Sequence, residues 1–186
     1  MGLIGTCAYG QGTVSFKNYF GNASTDPAVW YANFNGKVQG SQYVVALLAG
    51  PSSGSEAQIA TTTFLTQAAA AGFFQGGAVT IPTVPAGGTA FITIAVWDTT
   101  LNGTTTGATY QQAYDYWRTS LAGNVFGHSS EFTIVTGNPN GNPPTTPAFL
   151  IPGLTSFTLS PFIPEPSTFA LAGLGAVVLL LCRRWK

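Results

Sequence analysis

The chain has 186 residues, with six Lys+Arg, six Asp+Glu and no net charge; 6% of it is charged, against about 25% in an ordinary globular domain. With nothing to neutralise phosphates, that balance excludes a nucleic-acid binder. A 45% hydrophobic content that includes four Trp, seven Tyr and 13 Phe excludes a disordered chain.

In chain order, residues 1–10 (MGLIGTCAYG) carry neither Lys nor Arg and only a short apolar stub. Ala8 and Gly10 nevertheless form the small-x-small pattern of a signal-peptidase site, with Gln11 opening the mature chain. The segment reads as the remnant of a signal peptide whose front is missing. The rival, a lipoprotein signal ending at Cys7, is disfavoured because Thr6 is a poor residue before a lipidated Cys. Removing residues 1–10 leaves a body without Cys, so packing alone must stabilise it.

The body, residues 11–162, reads as short strands separated by Gly, Pro, Asn and Ser clusters. Candidates are 13–16, 29–34, 43–49, 57–64, 78–81, 91–97, 132–135 and 156–162. The run 91–97 (FITIAVW) is expected to be central and buried on both faces. Tyr110, Ala113, Tyr114, Trp117 and Leu121 instead fall at helical spacing, with Thr109 as cap and Gly123 as stop. That predicts one short helix crossing an end of the sandwich; the rival is an aromatic platform for a sugar. Residues 137–147 (GNPNGNPPTTP) read as a loop. The expected fold is mainly β: an antiparallel β-sandwich or jelly roll with one short helix, plus a single C-terminal transmembrane helix.

Catalytic chemistry is scarce. The single His, His128, excludes a multi-histidine metal site, and no metal or cofactor is expected. The carboxylates Asp26, Glu56, Asp98, Asp115 and Glu131 show no marked pair, and Asp26 and Asp98 look like turn residues. Gly50-Pro51-Ser52-Ser53-Gly54 satisfies the Gly-x-Ser-x-Gly pattern and precedes Asp98, Asp115 and His128 in hydrolase order. A nucleophile elbow must pass from a strand into a helix, whereas residues 58–63 lean towards a strand, so a Gly/Ser turn is expected. The chain is therefore read as non-enzymatic. The alternative is a carbohydrate-binding module that stacks sugars on Trp30, Tyr31 and Trp97. Asn22 and Asn102 open N-glycosylation patterns that carry little weight in a Thr-rich chain.

The C-terminus changes character. Residues 169–182 (FALAGLGAVVLLLC) are apolar or Gly throughout and are followed by Arg183, Arg184, Trp185 and Lys186. Such a run rises about 21 Å as a helix, short of a bilayer core. Starting at Ser167 and letting the basic side chains snorkel closes much of the gap, giving a predicted transmembrane helix at about 167–182 with its basic tail in the cytoplasm. Pro164-Glu165-Pro166 stands directly before it, where two prolines force an extended, protease-accessible backbone.

Pro164-Glu165-Pro166, the short Gly/Ala/Leu-rich helix and the Arg-rich end together resemble the PEP-CTERM sorting signal of bacterial exported proteins. The resemblance covers residues 163–186, with Ile163 where the family most often has Val. It implies recognition by a membrane-embedded exosortase, cleavage near Pro164-Glu165-Pro166, and a chain that is substrate rather than enzyme. It further implies that the chain waits in the inner membrane with its body in the periplasm, then reaches the cell surface or an extracellular polysaccharide matrix.

Overall fold

The computed structural model describes residues 10–22, 25–32, 36–99, 108–119, 125–161 and 173–175. Ten strands and one α-helix are described in chain order: β1 Gln11–Lys17, β2 Val29–Tyr31, β3 Tyr43–Gly50, β4 Ala57–Thr63, β5 Gln75–Pro85, β6 Thr89–Asp98, α1 Tyr110–Thr119, β7 Val125–His128, β8 Phe132–Val135, β9 Ala148–Phe149 and β10 Phe157–Pro161. They form two sheets, one ordered β5-β1-β9 and the other β2-β10-β7-β6-β3-β4, with β8 also paired to β6. This mainly β, two-sheet arrangement is consistent with a β-sandwich.

The core follows from strand alternation. In β3, Val45, Leu47 and Ala49 point towards the smaller sheet and pack with Val14 and Phe16 of β1, Ile81 of β5, and Ile92, Ile94 and Val96 of β6. Val44, Ala46 and Leu48 point the other way, into a second cluster with Trp97, Ala113 and Phe126. Both faces of β3 are therefore buried, and β6 is central as its sequence predicts.

The described ladders differ from the sequence reading in three respects. The sheets are mixed, not purely antiparallel, because β9 runs parallel to β1 and β10 parallel to β2. Strands β7 and β9 are additional, hidden by the Gly-His end of one and the shortness of the other. Strand β5 is longer than expected despite Pro82, because it lies at a sheet edge and its register jumps from Ile81 to Pro85 opposite β1, which takes the proline out of the ladder.

The helix also lies elsewhere than expected. Ala113, with Tyr110, Tyr114 and Trp117, packs on the outer face of the larger sheet and does not cross an end of the sandwich. That face of β3, β6 and β7 is apolar and needs a cover, which the aromatic stripe supplies. Leu121 and Gly123 lie outside the described residues. The predicted loop at 137–147 is pinned at its start, where Thr13 and Gly137 exchange both backbone hydrogen bonds, at 3.1 and 2.8 Å.

Candidate functional site

Two clefts flank α1. The helix begins with a reciprocal cap in which the Gln112 amide donates to Thr109 Oγ1 (3.3 Å) and the Thr109 amide to Gln112 Oε1 (2.9 Å). Gln58 of β4 adds a third acceptor, taking the Tyr110 amide at 2.6 Å. These bonds fix the start of the helix, and hence the ring stripe, over the sheet. Tyr110 and Tyr114 stack nearly parallel, with centroids 6.1 Å apart and 11° between planes. Trp117 follows at 5.9 Å from Tyr114 and 5.4 Å from the buried Phe126.

The first cleft, about 280 Å³, is lined by Tyr114, Trp117, Phe126, Gly127, His128, Thr158 and Ser160. Trp117 is held in place by its indole N–H, which donates to the Ser160 carbonyl at 2.9 Å. Gly127 brings β7 against β10 here, since a Cβ at that position would run into the Thr158 carbonyl. His128 Nδ1 lies 2.9 Å from the Ser129 carbonyl, a contact that requires the proton on Nδ1 and leaves Nε2 of the neutral ring as an acceptor. Among the described residues no charged one lines this cleft.

The second cleft, about 290 Å³, is lined by Leu48, Glu56, Gln58, Thr109, Tyr110 and Gln111. Burial, then a hydrogen bond with Glu131, raises the Glu56 carboxyl above its ordinary value. The bond from Glu56 in turn lowers Glu131, whose carboxylate also accepts from Ser53 Oγ at 3.1 Å. The two carboxyls are thus shifted in opposite directions, Glu56 upwards and Glu131 downwards. Burial also raises the Tyr110 hydroxyl. Among the described residues no group of three or more His, Cys, Asp or Glu could hold a metal ion.

The rings expected to stack on sugars do not form a platform. Trp97 is 1% exposed, closed beneath α1. Trp30 and Tyr31 are neighbours on β2 and so face opposite ways. The Lys37 ammonium lies 5.4 Å from the Trp30 ring centroid, and Tyr31 donates its hydroxyl to Tyr43 at 3.2 Å. The Gly-x-Ser-x-Gly match is the turn between antiparallel β3 and β4, where Ser55 Oγ donates to the Ser52 carbonyl at 2.7 Å. Asp26 is a loop anchor, accepting the Phe20 and Asn22 amides at 2.6 and 3.1 Å.

Sequence reasoning found Tyr114 and Trp117 as a helical stripe but missed Phe126, His128, Thr158 and Ser160, which reach the same cleft only through the pairing of β7 with β10. Gly10 precedes β1, and its carbonyl accepts the Ala86 amide at 2.7 Å. Ala8, Pro164, Glu165, Pro166, Arg183, Arg184 and Lys186 lie outside the described residues, as does the expected span 167–182 apart from the short helical stretch 173–175. Among the described residues no helix is long and apolar enough to cross a membrane.

The sequence model of the PEP-CTERM protein-sorting motif matches residues 162–184. The chain thus carries a PEP-CTERM protein-sorting motif, the kind of signal that directs an exported protein to an exosortase. No curated protein and no solved structure matches the chain.

Proposed function

We propose that the processed body is a non-enzymatic protein of the cell surface or of an extracellular polysaccharide matrix. The observation that carries this reading is the sorting motif at residues 162–184. Before processing, residues 167–182 hold the chain in the inner membrane with the body on the periplasmic side, and Arg183, Arg184 and Lys186 keep the tail in the cytoplasm. An exosortase then cuts near Pro164-Glu165-Pro166 and frees the body from its anchor.

The non-enzymatic reading is supported by the tight turn at Ser52, which does not fit the nucleophile-elbow geometry that its sequence resembles. The reading is tested by fractionating exosortase-bearing cells that express either the natural chain or one with Pro164, Glu165 and Pro166 all replaced by Ala. The natural chain is expected in the surface or matrix fraction and the variant in the inner membrane. The same fraction for both would count against the proposal.

A further inference from the structure

We infer that the cleft between α1, β7 and β10 binds a ring of a neutral glycan. Its floor is aromatic: Tyr114, Trp117 and Phe126 meet at centroid distances of 5.4 to 5.9 Å. Its remaining side chains are His128, Thr158 and Ser160. Rings that meet hydroxyls and an imidazole in one recess suit a ligand with C–H faces and a hydroxyl rim, which is what a pyranose presents. A purely hydrocarbon ligand would cover these polar groups and leave them without partners.

Charge narrows the choice further. Among the described residues the lining contains no Lys or Arg to hold an anionic sugar and no Asp or Glu to hold a cation. Arg118, next to Trp117 on the helix, directs its guanidinium onto the Tyr114 ring, 5.6 Å from the centroid, and does not line the cleft. The recess is also preorganised. Trp117 is tied to Ser160, and His128 Nδ1 is engaged by the Ser129 carbonyl, so Nε2 is the ring nitrogen left to meet a sugar hydroxyl. At about 280 Å³ the recess has room for a short stretch of glycan at most. Affinity for a polymer would therefore come from many copies along it, each weak.

The inference rests on the extracellular-matrix reading for its setting, but the binding itself is independent of C-terminal processing. The purified full-length chain would be titrated with cellotetraose, maltotetraose and chitotetraose, with an alginate tetramer as the anionic control. Tryptophan fluorescence and saturation-transfer NMR would report binding. Saturable binding of at least one neutral tetramer is expected, with Kd below about 10 mM. His128→Ala should weaken it by about five-fold without moving Tm, because His128 is exposed. Trp117→Phe, which loses the bond to Ser160, should weaken it as well, whereas Trp30→Phe should leave it unchanged. Binding of none of the neutral tetramers, preference for alginate, or affinity that survives both cleft substitutions would overturn the inference. Failure here alongside correct C-terminal cleavage rejects the glycan site alone; an uncut tail rejects the sorting reading.

Discussion

Asn18 is fully buried and ties three segments together. Its Nδ2 donates to the carbonyls of Pro27 (2.8 Å) and Gly72 (2.9 Å), and its Oδ1 accepts the Phe74 amide at 2.7 Å. Asn18→Ala would leave the Phe74 amide and the Pro27 carbonyl without that partner, at a cost of about 3 kcal/mol measurable by urea denaturation. Nothing in the sequence marked this residue, because its partners are backbone groups brought from residues 27, 72 and 74. The carboxyl pair was equally hidden, since Glu56 and Glu131 meet only when the β3–β4 turn folds against the chain entering β8. Glu56 is raised, so its contribution to stability is present at low pH and lost as pH rises through its folded value. Glu131 is lowered, so its contribution is present above the ordinary carboxylate value and lost as pH falls through its folded one. The pair is therefore most favourable in between, and the Tm of the natural chain should fall as pH rises from the carboxylate range to about 7. Glu131→Gln should flatten that fall, because an amide can donate to an ionised Glu56. An unchanged slope would contradict the coupling of the two carboxyls.

At the scale of elements, α1 shows which features a sequence carries. Its period, its Thr109 cap and its aromatic stripe are local and were legible, whereas its position on the outer sheet face depends on β3, β6 and β7 lying side by side. The antiparallel β3–β4 pair joins neighbouring segments across a short Gly/Ser turn, and β3–β6 pairs the two strongest apolar runs of the body. The parallel pairs β1–β9 and β2–β10 join strands more than 120 residues apart, one of them two residues long, and carry no local signal. The cleft shares this property, since its helical wall was legible and its strand wall was not. Thr109→Ala removes one half of the reciprocal cap and should destabilise the protein by about 1 kcal/mol in thermal or chemical denaturation. Trp117→Ala removes both the ring over Phe126 and the bond to Ser160, and should cost about 3 to 4 kcal/mol.

Across the whole molecule, the zero net charge is the sum of two unlike parts. Residues 1–164 hold three basic residues against five acidic ones, a charge of −2, while residues 165–186 hold three basic against one acidic, a charge of +2. On the proposed reading the basic end serves topology and departs with the tail; the scarcity of charge belongs to the body. The few basic side chains of that body lie against rings: Lys17 by Phe20, Lys37 by Trp30 and Phe73, Arg118 by Tyr114. A surface of this kind exerts little long-range steering, which suits a neutral polymer better than a charged partner. The central claim is that this chain is an exosortase substrate, and the mass of its C-terminal peptide in an exosortase-bearing host tests that most directly. A mature chain that ends near Pro164-Glu165-Pro166 and lacks the apolar run is expected. A mature chain retained through Lys186 in that host would contradict it.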